Sequence, residues 1–434
     1  MVNYGGDEVC ALVIDIGFSS LRAGYAGDDT PKAIIPTHYG YTPAPPDTDI
    51  AMGDGTEGGE ASNKPKYANI YIGQNGPSIW RPGMEIGNPI VDGLISDFNP
   101  IPPLIRHALQ DVMRVEATEH PILVTEPTWN TPANRERMAE IMFEEFQVPA
   151  FYIANTGVLN AFAAGKGSAL VIDIGQTMAS VTPVVDGFVL RKGLSHSPLP
   201  RFIHGLSKGL LTNATNYRGP IELWPHQLIA SKIVFAKAVD VGQAPQFTLR
   251  QDRVAKTTES WKQWSEAREV DEWVQSVAAV SEQGWNDQVI ARAGPKQYEF
   301  PTGFAGTFGG ERYQVGEHIY YTNPNNPQQP KTLPSLITES LRACDPELRQ
   351  VLMGNVVLTG GGSLFTGLLD RLNAEMARTF PHAKIHAPGN PIERRYGGWL
   401  GGSILASLGT FHQLWISKEE WQEHGKAIVG QRCK

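Results

Sequence analysis

The sequence predicts an α/β protein built as two related lobes that close on an anionic ligand. Three observations carry that prediction. The heptapeptide ALVIDIG occurs at residues 11–17 and again at residues 169–175. Each copy runs through a polar turn into a second apolar stretch, residues 21–26 after the first and 181–185 after the second. A third apolar run ends in glycines, NVVLTGGG at residues 355–362.

Each copy of the repeat is a short β-branched run, the pattern of a buried strand. With its polar turn and return stretch it reads as a β-hairpin. Two related halves facing each other bring the two glycine turns together. Backbone N–H groups then converge on something anionic. Asp15 and Asp173, one residue short of each turn's start, fall at the bottom of such a cleft, where carboxylates beside phosphates hold Mg2+ through its waters. A single Asp before a glycine reads as an ordinary turn residue; two inside a seven-residue repeat do not. The third run leads through Gly360–Gly362 into an apolar segment of helical spacing, residues 364–372. Alone it would be a plain strand-to-helix turn. Beside the other two it offers backbone that a flat or anionic ligand can approach closely.

Bulk properties bound the rest. The 434 residues suffice for two compact lobes, and 41% hydrophobic with 19% charged residues is ordinary for a globular protein. A net charge of −8 argues against nucleic-acid binding through the overall field. Three scattered cysteines without a CxxC argue against a zinc site or disulfide framework and fit a reducing compartment. No secretory signal or membrane-spanning run is visible, so the expected location is cytosolic or nuclear. Residues 40–65, rich in Pro, Gly and acids, read as a mobile surface insert. Residues 240–258 read as a polar surface connection, and residues 322–329 as a turn-rich loop. Between these two, Trp261, Trp264, Trp273, Val277 and Val280 repeat at helical spacing. The four tryptophans of residues 261–285 are expected mainly in the core rather than on a binding face.

Five segments together resemble the actin family: residues 15–36 (DIGFSSLRAGYAGDDTPKAIIP), 120–144 (HPILVTEPTWNTPANRERMAEIMFE), 173–183 (DIGQTMASVTP), 359–372 (TGGGSLFTGLLDRL) and 399–421 (WLGGSILASLGTFHQLWISKEEW). Residues 4–9 (YGGDEV), 229–232 (IASK), 281–303 and 392–399 (IERRYGGW) are similar to its nuclear actin-related branch, subunits of chromatin-remodelling and histone-acetyltransferase assemblies. The resemblance implies the actin-like two-lobed ATPase fold, duplicated ribonuclease H-like domains in four subdomains. These would be residues 1–36, 89–163 and 397–434; residues 37–88 with the insert; residues 164–199 and 328–396; and residues 200–327.

The resemblance also implies a ligand, ATP, with or without Mg2+. Its contacts would be Asp15, Gly17, Phe18, Ser19 and Arg22 on the first turn. Asp173, Gly175, Gln176 and Thr177 follow on the second, and Gly360, Gly361, Gly362, Phe365 and Arg395 lie beside the nucleoside. Asp15 and Asp173 would hold the metal through water. Hydrolytic groups are altered. Glu140 stands where actins carry a water-orienting Gln, Ser180 where they carry a His, and Gln176 where they carry an acid. Phe18-Ser19 replaces a Ser-Gly pair, and Ser231 matches an acid that faces the ribose. A missing water-positioning or acid–base group costs about 10²–10⁴ in rate, so hydrolysis is expected to be negligible. The insert is expected to prevent a self-filament. An apolar groove formed by Phe162, Gly165, Phe188, Leu405, Leu408 and Leu414 would take a partner helix; singly, Leu405 and Leu408 also read as helix core. The implied partners are actin, a long helix of a remodeller motor or scaffold subunit, and other actin-related proteins, in the nucleus. The acid-bearing insert is a candidate for histone or nucleosome contact. A filament-forming ATPase and a small-molecule kinase on the same clamp remain alternatives.

Overall fold

A computed structural model of the protein describes residues 10–44, 67–213, 220–233 and 242–434. Two mixed sheets form its centre, one for each copy of the repeat. In the first, Leu12–Ile16 pairs antiparallel with Ser20–Tyr25 and parallel with Ile122–Glu126. Ala33–Pro36 extends one side; Ala150–Asn155 and Ile416–Ser417 extend the other. In the second, Ala169–Ile174 pairs antiparallel with Ala179–Val185 and parallel with Val356–Thr359, which is followed by Ile385–His386. The duplication is therefore topological as well as sequential. Leu12, Val13 and Ile14, like Leu170, Val171 and Ile172, are buried on both faces, so the strands are continuously apolar rather than alternating.

The chain crosses between the sheets through two helices, Thr156–Ala163 and Gly397–Ser407. The first is capped by Asn155, whose side chain accepts from the Gly157 amide at 3.0 Å. The two helices cross so closely that a Cβ on Gly401 would lie 1.9 Å from the Leu159 carbonyl oxygen. Only glycine permits that approach. Trp399, fully buried, donates from Nε1 to the Val13 carbonyl at 3.0 Å and fastens the returning helix to the first sheet.

Outside the two sheets lie smaller units. Tyr39–Pro43, Tyr67–Tyr71 and Glu85–Gly87 form a three-stranded sheet. The Glu259–Ser276 helix, capped by Thr258, packs Val270 and Trp273 into a separate core with Phe300, Phe304 and Phe308. Several expectations are adjusted here. The supposed insert begins later than residue 40, because residues 40–43 pair in the outer sheet; residues 45–65 and the 4–9 motif lie outside the described residues. Residues 247–254 are not a bare connection: Phe247–Leu249 pairs with Ile229–Lys232, and Gln251–Val254 is a helical turn. Trp261 and Trp273 are core, as expected, while Trp285 is exposed. The helix stops at Ser276, so Val277 and Val280, both buried, belong to the segment after it. After the third apolar run the helix starts at Leu368 rather than at residue 364, behind a 3-10 turn at Gly361–Leu364. Among the described residues no helix is long and apolar enough to cross a membrane.

Candidate functional site

The two hairpin turns are built alike. The Gly17 amide donates to the Ser20 carbonyl at 3.1 Å, and the Gly175 amide to the Met178 carbonyl at 2.8 Å. The glycine amides are thus spent on closing the turns, and the tips are Phe18-Ser19 and Gln176-Thr177. Among the described residues, no protein acceptor takes the amides of those four residues.

The register puts Arg22 opposite Asp15 and Ser180 opposite Asp173. This one difference sets the electrostatics. Asp15 is buried and doubly compensated: Arg22 donates from Nη1 to Oδ2, and the Thr125 hydroxyl donates to Oδ1 at 2.5 Å. Asp173 has neither partner. Thr359, its neighbour on the parallel strand, donates instead to the Arg394 carbonyl at 3.0 Å and to Asn160 Oδ1 at 3.3 Å. Burial, and then the charge of Asp15, push the Asp173 carboxyl up to about 6, against the pull of Arg22. Arg22 also lies over the Tyr396 ring, 5.0 Å from its centroid. Its expected phosphate contact is, in this state, an ion pair with Asp15.

The third turn packs directly on the second. A Cβ on Gly360 would fall 2.3 Å from Asp173 Oδ1, and one on Gly362 would fall 2.7 Å from the Gly175 carbonyl oxygen. Both glycines serve turn-on-turn packing. Gly361 alone is exposed, with Arg395, also exposed, beside it. Phe365 is partly buried and packs against the second core and the neighbouring aromatic one.

Two expected positions are corrected. Glu140 ends the Pro132–Glu140 helix, which buries Met138 and Ala139 and turns the next side chain outward. Its carboxylate is held by Arg137 at 2.7 Å and Lys426 at 3.2 Å, on the side of the C-terminal helix Ala427–Arg432. The Arg137 hydrogen bond holds its pKa below the ordinary range, so it is an ionised surface group and not a neighbour of the turns. Ser231 sits on an outer strand, bonded to Thr248 at 2.7 Å. The acid that does approach the second turn is Asp271, from the Glu259–Ser276 helix. It accepts from Gln176 Nε2 and lies 3.4 Å from His204 Nε2. Burial raises its pKa, with His204 and Gln176 opposing. Thr125 and Asp271 were thus missed. Thr125 had a signal, since ILVT at residues 122–125 mirrors VVLT at residues 356–359. Asp271 had none, since nothing in the sequence aims that helix at the turn.

Phe18 packs edge-on against His38, ring centroids 5.2 Å apart, and its carbonyl accepts from Asn88 Nδ2 at 2.9 Å. Burial, reinforced by Arg268, pushes the His38 pKa down to about 4, so this ring is neutral. Among the described residues no group of three or more His, Cys, Asp or Glu could hold a metal directly.

The geometry agrees with the comparison with known families, in which the actin model matches residues 6–434. The chain belongs to the actin family. Similar proteins include Actin-related protein 4 of Emericella nidulans, 38% identical over 99% of this chain and 98% of the relative. Actin-related protein 4 of Yarrowia lipolytica is 38% identical over 97% and 95%. Actin-related protein 4 of Arabidopsis thaliana is 33% identical over 99% and 100%. The actin-related branch expected from the sequence is the one these relatives carry in their names.

In this actin-family chain the residues expected to form a partner groove are partly exposed. Phe188 is 65% exposed, Leu408 47% and Leu414 43%. Gly165 is exposed at a positive φ of 66° with nothing near its Cβ position. Phe162 lies beside Gly187, next to Phe188. Leu405 instead leans on the first core, as the core reading of that helix anticipated.

Proposed function

We propose that this protein holds ATP between its lobes without appreciable hydrolysis, as a subunit of nuclear chromatin-remodelling and histone-acetyltransferase complexes. One observation carries the nucleotide reading: two tips with free amides and the exposed Gly361 backbone meet around Asp15 and Asp173. Free amides on tight turns are anion donors. The amides of Phe18, Ser19, Gln176 and Thr177 would bind phosphate oxygens. Arg22 would add charge from beside Gly17, its Nη atoms 3.6 and 3.7 Å from that Cβ position. Arg395, which lies beside Gly361, would stack on the base.

Two carboxylates suit a hard cation held through its waters, and Asp15 and Asp173 would hold Mg2+ that way. Bound there, the ion would neutralise phosphate charge. With both Asp15 oxygens already bonded, direct ligation is disfavoured.

Hydrolysis needs a positioned water and a group to take its proton. Ser180 is a poor base, Gln176 is engaged with Asp271, and Glu140 is ion-paired elsewhere. Bound ATP would then act as a clip between lobes. A ligand at 1,000 times its Kd adds about 4 kcal/mol to the folded state. The exposed Phe188, Leu408 and Leu414 support docking of an amphipathic helix from a motor or scaffold subunit, with actin alongside.

The test is nucleotide content and turnover of the purified protein. Release of ATP on denaturation, with no phosphate above background over hours, is the expected result. Steady phosphate release would refute the quiet-subunit reading, and sedimentation of the chain as filaments under polymerising salt would favour a filament ATPase.

A further inference from the structure

Two segments far apart in sequence pack on each other, one just ahead of Asn88, which holds the first tip, the other on the helix whose Asp271 receives Gln176 of the second. One is residues 77–86, leading into the outer sheet. The other is the start of the Glu259–Ser276 helix with the turn before it. At the junction Met84, Leu228 and Trp261 are each 1% exposed and form one cluster, flanked by Trp80 and Trp264. The polar atoms around them are paired across the gap. Trp261 Nε1 donates to the Pro77 carbonyl at 3.0 Å, and Trp80 Nε1 to the Thr257 hydroxyl at 2.9 Å. The Gly83 amide donates to the Lys256 carbonyl at 2.9 Å, and the Ile86 amide to the Ser260 hydroxyl at 2.9 Å. Thr258 caps the helix and also donates from its hydroxyl to the Met84 carbonyl at 2.5 Å.

We infer that this Met–Leu–Trp junction is a latch that keeps the cleft closed by itself, so that closure belongs to the chain and is not induced by what the cleft binds. Opening would bring three fully buried apolar side chains into water and break two buried or half-buried indole hydrogen bonds together. A ligand shifts an equilibrium only by its differential affinity for the two states. Where the closed state already dominates, little shift is left for it to cause. The latch is also connected to both turns. Further along the same helix, Trp264 lies 6.5 Å from His38, which packs on Phe18, and Asp271 receives Gln176. A rigid helix therefore ties the fastened junction to the tips of both hairpins. Slow exchange of a bound nucleotide, gated by the latch, follows from this together with the reading above; the latch itself does not depend on that reading.

Amide hydrogen exchange on the full chain, stripped of nucleotide, tests it. Gly83 and Ile86 report directly, since each amide's acceptor lies across the junction. Their exchange should be slow without ligand and should change by less than about threefold on adding ATP with Mg2+. Fast ligand-free exchange at these two amides would overturn the inference, whether or not ATP then slows it. Met84→Asp, which puts a charge in the cluster, should speed both amides at least about tenfold. Ile14 and Val124 in the first sheet should stay protected. Thr257→Val, which removes the acceptor of Trp80 together with the Thr257 hydroxyl's own bond to the Arg253 carbonyl, should speed Gly83 and Ile86 by a smaller factor. No change in either variant would overturn the latch. A chain that binds no nucleotide but keeps both amides protected would refute the ATP reading and leave the latch standing.

Discussion

Substituting Gly360 and Gly361 by alanine, one at a time, separates the packing role of the third turn from its ligand-facing role. Gly360 has φ 88° and ψ 153°, a region essentially reserved for glycine. Forcing a side chain there costs about 1–3 kcal/mol in the backbone alone. The new methyl would also sit 2.3 Å from Asp173 Oδ1 and 2.4 Å from the Ile174 carbonyl oxygen. The second is backbone and the first ends a short buried side chain, so overpacking adds about 1–3 kcal/mol. At roughly 2–4 °C per kcal/mol for units of this size, Gly360→Ala should melt about 4–24 °C below the parent. Gly361→Ala meets only the Arg395 side chain, 3.7 Å away, and should melt within about 1 °C of the parent. Its methyl lands on the exposed backbone, so it should weaken binding of a fluorescent ATP analogue while leaving the fold intact. Differential scanning fluorimetry and an ATP titration read both effects. Equal melting temperatures for the two variants would refute the account of the third turn.

Other substitutions probe the charges. Arg22→Ala leaves buried Asp15 with the Thr125 hydroxyl alone and should cost about 3 kcal/mol in urea unfolding. Glu140→Gln removes a partly exposed pair with Arg137 and Lys426, so it should cost less than about 1 kcal/mol and leave phosphate release unchanged. Asp173 is raised from 3.8 to about 6 in the fold. Between those values the folded state keeps a proton that the unfolded chain gives up. Stability of the ligand-free protein should therefore fall as pH rises through that window, by about 3 kcal/mol in total. Asp173→Asn should abolish that component, and an unchanged pH–stability curve would contradict the assignment.

The sequence made the centre of the molecule readable because a repeat reports geometry twice. Two copies of ALVIDIG, each with a return strand, specify paired hairpins without any structure. Asp15 and Asp173 follow from their place in the repeat. What that reasoning missed depends on side-chain direction. Glu140 sits in a segment that resembles the family closely, yet helical rotation turns it toward Lys426. Gly360 and Gly362 are glycines because another turn lies on them, which linear sequence does not reveal. The latch was the least legible feature. Met84 and Trp261 look like ordinary core residues at their own positions, and only the fold brings them face to face.

The route of the chain through the first sheet governs the order of its assembly. Leu12–Ile16 is made long before Trp399 and Gly402, which cover its apolar surface. The strand Ala150–Asn155 waits equally long for Ile416–Ser417 at its edge. Between these early and late pieces the whole second sheet must be synthesised. A growing chain therefore carries an unfinished sheet, with an open edge and uncovered Val13 and Leu123, until residues 399–417 arrive. Such surfaces are prone to pairing with other chains. Shielding of that surface during synthesis is thus one determinant of this protein's yield, separate from the stability of the finished fold.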